Sequence, residues 1–185
     1  MDISSQEIKE IIFRNNTVNN LLSRLHSLQI PDCYLTAGCL FQSIWNYRSG
    51  NDLIWGIKDY DVFYYDPDIS WEKENSWIQL AKKIETELEI EIEIKNQARV
   101  HLWYKEKFGL DTHPLTSTKD GIRDFLVECC CVGINLDSKE LFAPYGLTDL
   151  WNGHLRINSS NPRHELFKEK ANSYKQRWEW LTVFD

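Results

Sequence analysis

The sequence predicts an α+β fold in which a mixed or antiparallel sheet is flanked by helices. Three observations support this prediction: apolar residues recur at helical spacing in several segments, shorter apolar runs show the alternation typical of strands, and turn-forming residues separate the two kinds of segment. The chain has 185 residues, 42% of them hydrophobic, which suffices for one domain with a substantial core. We therefore expect a single domain over residues 1–185, with a helical segment at 1–30, a core at 31–104 and a C-terminal elaboration at 105–185.

The N-terminal segment is typical of one or two amphipathic helices. Apolar residues recur at helical spacing from Ser5 to about Gln29, and Ser4 with Glu7 fits a capping box. The polar run Asn15-Asn16-Thr17 is the position where we expect a break.

The next segment predicts a strand, a glycine turn and a helix. The strand Cys33-Tyr34-Leu35-Thr36 leads into Ala37-Gly38-Cys39, and helical spacing resumes at Leu40. Such a turn presents backbone N–H groups at a helix N-terminus, where phosphate oxygens bind well. A thiol at the start of a helix has a lowered pKa, so Cys39 is a candidate for reactivity, although we expect a structural role for it.

The most informative motif is Asp59-Tyr60-Asp61, within a predicted strand from about Ile54 to Tyr65. Residues two apart in a strand point to the same face, so the two carboxylates project together. Like charges at short range repel one another unless a cation neutralises them, and ligand sets made only of oxygen favour Mg²⁺ or Mn²⁺. The motif therefore predicts a divalent metal site in the core at 31–104. The simpler interpretation is a pair of solvated surface acids.

The second half of the chain continues the alternation of helices and strands. Helical spacing covers Trp71 to Leu88, and strict alternation from Glu89 predicts a strand that continues through Trp103. A further helix is expected from Thr118 to Glu128. The segments from Cys129 to Leu136 and from Glu140 to Ala143 resemble a hairpin.

A long helix is expected to close the chain, with Asn161 as its N-cap and Pro162 at its first position. The apolar residues predicted on its inner face are Phe167, Ala171, Tyr174, Trp178 and Leu181.

Composition excludes several classes of protein. The net charge of −7 argues against broad binding of nucleic acids, which depends on a basic surface. The five cysteines include no C-x-x-C pair, so neither a disulfide framework nor a zinc knuckle is expected. No segment approaches the ~20 apolar residues of a membrane span, and the polar N-terminus is unlike a signal peptide, so we expect a cytoplasmic protein without a membrane partner.

In this order, the motifs resemble the DNA polymerase β-like nucleotidyltransferase superfamily, whose members join a glycine turn to a D-x-D strand and a third acid on the next strand. The third position corresponds to Glu91, Glu93 or Asn96. A closer resemblance is to a family of small bacterial nucleotidyltransferase-like proteins, and it runs from about Tyr34 to the C-terminus. The segments that carry it are Ala37-Gly38-Cys39, Asp59 to Asp66, Lys95-Asn96-Gln97-Ala98-Arg99-Val100-His101 and Ala143 to Leu150.

The resemblance implies a polymerase β-like core and transfer of a nucleoside monophosphate from a nucleoside triphosphate to an acceptor, with release of pyrophosphate. It implies that Asp59 and Asp61 hold Mg²⁺ (or Mn²⁺) and that the turn at Gly38 and Cys39 meets the phosphates. Glu93 is our candidate for the third catalytic acid, with Glu91 and Asn96 as alternatives, and the simpler interpretation of both glutamates is a solvated strand face.

Four further residues are candidates for roles beside these acids. Lys95 and Arg99 are candidates to offset phosphate charge, because the predicted strand places them beside the carboxylates. His101 is expected to complete a hydrogen-bond network rather than bind phosphate, and Asp149 either closes the site or caps a turn. Cys39 stands where the superfamily has Gly or Ser, and residues 40 to 58 form a longer connection than usual, whose excess a loop from Arg48 to Trp55 is expected to absorb.

The acceptor, a small molecule or a protein, is not indicated by these motifs. A second hypothesis is a catalytically degenerate binding module that keeps the fold and acts through a protein partner. A metal-dependent phosphohydrolase is a weaker third hypothesis, because no H-D pair accompanies the carboxylates.

Overall fold

The computed structural model describes residues 3–109 and 112–184. In chain order, the helices and strands of this part are α1 (Ser5–Phe13), α2 (Asn16–His26), β1 (Tyr34–Thr36), α3 (Gly38–Ser49), β2 (Asp59–Tyr64), α4 (Trp71–Leu88), β3 (Glu91–Asn96), α5 (Val100–Phe108), α6 (Thr118–Arg123), β4 (Gly133–Asn135), β5 (Leu141–Phe142), α7 (Thr148–Asn152), β6 (His154–Arg156), α8 (His164–Lys175) and β7 (Thr182–Phe184). Short 3-10 helices lie at Gln97–Arg99 and Glu128–Cys130.

The main sheet has five strands in the order β3-β2-β1-β4-β5. Strands β2 and β3 are parallel, because α4 connects them as a crossover, and the other pairs are antiparallel. The prediction of an α+β fold with a mixed sheet is therefore confirmed. Strands β6 and β7 form a separate parallel pair that the sequence did not indicate.

The break between the first two helices lies at Asn15, as predicted. Its side chain accepts hydrogen bonds from the N–H groups of Thr17 and Val18 and so caps α2. Its Nδ2 donates to Ser43 Oγ at 2.9 Å, which ties this corner to α3. The capping box of Ser4 and Glu7 is present at the start of α1.

Alternation along β2 places the acidic motif on the face opposite the main core. Tyr60, Val62 and Tyr64 are buried in the large apolar cluster, together with residues of α1 to α4. Asp59 and Asp61 lie on the other face, where Phe63 packs in a small separate cluster with Tyr34 and Ile122. The carboxylates therefore project away from the large apolar cluster.

The long connection before β2 is held in place by α3. Asn46 is fully buried, and its Nδ2 donates to the carbonyl oxygens of Leu53 at 3.2 Å and Trp55 at 2.8 Å. Residues 50 to 58 form this loop, so β2 begins at Asp59 rather than near Ile54 as predicted.

Two further predictions were wrong. Strand β3 ends at Asn96, and the segment through Trp103 belongs mostly to helix α5, because the Asn96 side chain caps the 3-10 helix by accepting the N–H of Ala98. The helix predicted from Thr118 to Glu128 ends at Arg123.

The final helix α8 also differs from the prediction. It begins at His164, because the Asn161 side chain donates to Asp124 O at 2.6 Å and accepts from Arg163 Nε instead of capping the helix. Trp178 and Leu181 are buried, but they lie beyond its end at Lys175. The hairpin is present as β4 and β5, with shorter strands than expected. No helix within residues 3–109 and 112–184 has the length and apolarity needed to cross a bilayer.

Candidate active site

Asp59 and Asp61 line a cleft of about 560 Å³. The turn at Ala37 and Gly38 forms one wall. Residues 125–127 and helix α8 form the opposite wall. We call this space the acidic cleft.

The Asp61 carboxyl group is in an electrostatically unfavourable environment. Burial is the largest influence on its pKa; together with the charges of Asp59 and Glu93, and against the opposing charges of Lys95 and Lys170, it raises the pKa to about 6. Two carboxylates on one strand face, one of them largely buried, form a set of oxygen donors that suits a divalent cation. Among the predicted ligands, Asp59 and Asp61 therefore fit a metal ion.

Gly38 allows the start of α3 to approach these carboxylates closely. A Cβ atom at this position would lie 2.7 Å from Gln42 Nε2 and 4.0 Å from Asp59 Oδ1. No side chain caps the helix, whose N-cap residue Ala37 has φ 59° and ψ −132°. The positive end of a 12-residue helix thus lies beside the acids, as expected for a site that binds phosphate oxygens.

Cys39 contributes no side chain to the cleft. Its side chain is fully buried, and its Sγ donates to Thr36 O at 3.4 Å. Burial, followed by the charges of Asp61 and Asp59, raises the pKa of this thiol well above its ordinary value. The expectation of a lowered pKa was wrong, because desolvation outweighs the helix terminus. At Cys39, only the backbone N–H and not the side chain remains a candidate contact to phosphate.

Of the three candidates for the third acid, Glu93 is the one aligned with Asp61. The parallel register places Asp61 opposite Glu93 and Asp59 opposite Glu91. Glu93 forms an ion pair with Lys95 that lowers the pKa of its carboxyl group, and its side chain is 40% exposed. Glu91 is exposed.

Asn96 is occupied by structural contacts. It is buried, its Nδ2 donates to the carbonyl oxygens of Asp66 at 2.9 Å and Asp68 at 3.2 Å, and its Oδ1 accepts from two backbone N–H groups. Within the described residues, no group of three or more Asp, Glu, His or Cys side chains is close enough to hold a metal ion. Among the described residues, Asp59 and Asp61 share the cleft, and no third side chain able to bind a metal ion joins them.

Arg99 does not lie in the cleft, contrary to its predicted role. Its Nε lies 2.9 Å from Glu74 Oε2 in a nearly buried ion pair, and its guanidinium lies over the Trp71 ring at 5.7 Å. The reason is the end of β3 at Asn96, since the 3-10 helix that follows turns Arg99 toward α4.

Lys95, in contrast, stays on the strand face of the acids and lines the space next to Asp61. His101 lines neither this space nor the acidic cleft. Asp149 lies in α7, where its carboxylate contacts His154 Nδ1 at 3.0 Å and accepts from Arg156 Nε at 2.9 Å. It thus joins α7 to β6, and it neither caps a turn nor lines the acidic cleft.

Three cations that the sequence did not single out line the acidic cleft. They are Lys58, Lys170 and Arg177. Arg177 Nη1 donates to Gln42 Oε1 at 3.0 Å and to Gly56 O at 3.1 Å, so it joins α3 to the loop before β2. Lys170 lies on α8 and Arg177 lies just beyond its end, and both cations lie over the ring of Tyr174.

A second space adjoins the acidic cleft and shares five lining residues with it: Asp61, Phe125, Leu126, Lys170 and Ser173. Its volume is about 570 Å³. Aromatic side chains from β2, from α5 and from the segment after α6 line it, and we call it the aromatic chamber. Its aromatic residues are Phe63, Trp103, Tyr104 and Phe125. Because the sequence predicted a strand through Trp103, it did not indicate that Trp103 and Tyr104 lie on a helix beside this space.

The sequence and the fold both resemble known proteins. A family model described as nucleotidyltransferase matches residues 23–183. An NMR structure described as revealing a CCA-adding enzyme head domain is similar at a TM-score of 0.76 and 26% identity, covering 98% of this chain and 96% of that chain.

The CCA-adding enzyme of Thermotoga maritima, complexed with tRNA, shares the fold at a TM-score of 0.58 and 14% identity. The match covers 96% of this chain and 42% of that one, so this chain corresponds to less than half of that enzyme. No curated protein matches the sequence.

Proposed function

This chain belongs to a nucleotidyltransferase family, and we propose that it is a Mg²⁺-dependent enzyme that transfers a nucleoside monophosphate from a nucleoside triphosphate to an acceptor. The resemblance inferred from four sequence motifs is confirmed at the level of family and fold. The observation that carries the proposal is the position of Asp59 and Asp61, on one face of β2 and beside the uncapped N-terminus of α3.

The proposed reaction forms one bond to phosphorus and breaks another. An acceptor oxygen attacks the α-phosphorus, the bond from that phosphorus to the bridging oxygen of the β-phosphate breaks, and pyrophosphate leaves with the electron pair. The proton of the acceptor hydroxyl passes to a carboxylate, for which Glu93 opposite Asp61 is the candidate. A metal ion held by Asp59 and Asp61 would neutralise phosphate charge and favour ionisation of the acceptor hydroxyl.

The cations of the acidic cleft are suited to the outer phosphates. Lys58, Lys170 and Arg177 surround the cleft, and the first backbone N–H groups of α3 lie at its wall. In a chain with a net charge of −7, this local concentration of positive charge indicates a site for a bound anion.

Calorimetry with ATP, CTP, GTP and UTP in the presence of Mg²⁺ tests the proposed site. We expect at least one nucleotide to bind and Asp59→Asn to weaken that binding by about tenfold or more. Glu91→Gln is the matched control, because Glu91 lies opposite Asp59 on the next strand but is exposed. Equal affinities for the wild type and Asp59→Asn would show that the pair does not hold the metal nucleotide.

A second candidate function is a degenerate module that keeps the fold and acts through a protein partner. The observation that favours it is that no three metal-binding side chains come together within the described residues. Release of pyrophosphate distinguishes the two functions. Nucleotide binding without turnover, across a panel of candidate acceptors, would favour the module over the enzyme.

A further inference from the structure

We infer that the aromatic chamber binds the acceptor, and that this acceptor is a small, negatively charged molecule with a flat aromatic body and a hydroxyl group. The inference rests on the proposed function, since it assigns the second substrate of the same reaction. It is carried by the position of the chamber, the side chains that line it and its size.

The order of the strands places the chamber on the side where an acceptor must enter. Strand β1 leads into the N-terminus of α3, β2 carries Asp59 and Asp61, and β3 carries Glu93 and Lys95. Phosphates at the α3 terminus therefore lie on one side of Asp61. In an in-line displacement the attacking and leaving oxygens lie on opposite sides of the phosphorus. An oxygen that attacks opposite the pyrophosphate comes from the β3 side, where Lys95 lines the chamber.

The walls of the chamber are suited to a flat ring. Phe63 and Phe125 lie with their ring centroids 5.6 Å apart, and both line the chamber. Trp103 and Tyr104 lie on α5 with centroids 6.2 Å apart. Aromatic walls on two elements offer edge and face contacts to a planar molecule.

The charge of the chamber favours an anion. Four cationic side chains line it against three acidic ones, although the whole chain is acidic with a net charge of −7. Lys107 lies over the Trp103 ring at 5.6 Å, and Arg163 lies over the Tyr104 ring at 5.3 Å. Each pair places a positive charge next to an aromatic face, which suits a ligand that carries a negative group beside an aromatic ring.

The size of the chamber and the charge of the whole chain point to a small molecule rather than a nucleic acid. About 570 Å³ falls within the range of about 300–1,000 Å³ typical of small-molecule sites. An RNA strand would extend along a surface whose overall charge is unfavourable to phosphates.

Three phenols that share a para-substituted ring and differ in the charge of their side chain test the inference. The probes are 4-hydroxyphenylacetate, which is anionic, tyrosol, which is neutral, and tyramine, which is cationic. Ligand-detected NMR with the full chain, without nucleotide, gives their affinities. We expect the anion to bind at least tenfold more tightly than tyramine, with tyrosol between them. Equal binding of the anion and the cation, or no binding of the anion, would overturn the inference.

Variants test whether 4-hydroxyphenylacetate binds in the aromatic chamber. We expect Trp103→Leu and Lys107→Gln each to weaken binding of 4-hydroxyphenylacetate by about fivefold or more. The controls are Trp71→Leu, an exposed tryptophan that also lies beside a cation, and Lys168→Gln, an exposed lysine on α8, since neither residue lines the chamber. Equal losses in a control and its matched variant would place the binding elsewhere.

Two further measurements separate this inference from the proposed function. Binding of Mg²⁺ and nucleotide to Trp103→Leu should stay within threefold of wild type; a loss as large as that of Asp59→Asn would assign the chamber to the nucleotide and overturn the inference. Tighter binding of a six-nucleotide single-stranded RNA than of the phenol anion would also overturn it. Phenol binding without nucleotide binding would refute the proposed function and the acceptor role, leaving only an anion site.

Discussion

Asp61 on β2 lies directly opposite Glu93 on the parallel strand β3, so the last acid of the motif and the candidate third acid are neighbours across one strand pair. We expect Glu93→Gln to lower kcat for nucleotidyl transfer by about 10²-fold or more, because the amide cannot take the acceptor proton. Nucleotide affinity should stay within about threefold, since Asp59 and Asp61 remain. Steady-state assays of pyrophosphate release, with calorimetry for binding, measure both quantities.

Glu91→Gln is the control for this prediction, because Glu91 lies two residues away on the same strand face but is exposed. It should leave kcat within twofold. An unchanged kcat in Glu93→Gln would remove Glu93 from the catalytic site and favour a reaction that depends on the aspartates alone.

The environment of Asp61 predicts that its charge destabilises the protein when no metal is bound. Its pKa is about 6, raised chiefly by burial from an ordinary value of 3.8. Above about pH 6 the folded protein must carry this carboxylate ionised, whereas below pH 3.8 the group is protonated in both states. We therefore expect Asp61→Asn to raise the free energy of unfolding at pH 8, in EDTA, by about 1–3 kcal/mol.

The direction of the pH dependence follows from the raised pKa. The stabilisation that wild type derives from protonating Asp61 is complete below pH 3.8 and is lost as the pH rises to about 6. The advantage of Asp61→Asn should thus vanish toward pH 4. Urea unfolding at pH 4, 6 and 8 measures it. Mg²⁺ should stabilise wild type at pH 8 and not the variant, and a variant less stable than wild type at pH 8 would contradict the prediction.

The sequence predicted the elements whose signals are local. Asn15 interrupts two amphipathic helices and caps the second, and alternating burial in β2 places Tyr60 and Val62 in the core and Asp59 and Asp61 outside it. Strands β6 and β7 were missed, because each has three residues and pairs with a partner more than 20 residues away. Such short strands carry too little alternation to be distinguished from a loop.

The candidate site was predictable only where its residues are close in sequence. The acidic pair is a local motif, whereas Lys170 on α8 and Arg177 just beyond it come to the cleft from the C-terminal part of the chain, far from the motif in sequence. The wrong placement of Arg99 has a single cause. A buried Asn96 side chain ends β3, and periodicity does not report the hydrogen bonds of one side chain.

Arg99 is expected to be a stability residue rather than a nucleotide contact. Its ion pair with Glu74 is nearly buried, and Glu74 also accepts the N–H of Asn96 at 2.8 Å. Arg99→Met leaves the Glu74 carboxylate without its cation, so we expect a loss of about 2–4 kcal/mol in the free energy of unfolding. Urea denaturation measures this loss, and calorimetry should show nucleotide affinity within twofold of wild type.

The double variant Arg99→Met with Glu74→Gln is the matched test for the ion pair. It removes the unpaired charge, so part of the lost stability should return. If Arg99→Met alone had normal stability but bound nucleotide about tenfold more weakly, Arg99 would belong to the phosphate site. Its structural role in pairing with Glu74 of α4 would then be contradicted.

Two substitutions in the glycine turn are expected to change the free energy of unfolding in opposite directions. Ala37 has φ 59° and ψ −132°, a backbone conformation that favours glycine. Ala37→Gly relieves this strain, and we expect it to raise the free energy of unfolding by about 1 kcal/mol after the greater chain entropy of glycine is counted. Nucleotide affinity should be unchanged, because the start of α3 keeps its position.

Gly38→Ala should instead weaken nucleotide binding. The added Cβ would lie 2.7 Å from Gln42 Nε2, so this side chain must move and its hydrogen bond with Arg177 is lost. Because Gln42 is flexible at its far end, the stability loss should stay below about 1 kcal/mol, while nucleotide affinity falls by about fivefold or more. Thermal unfolding and calorimetry separate the two effects. If Gly38→Ala bound nucleotide as wild type does, the close approach of α3 to Asp59 would have no part in binding phosphate.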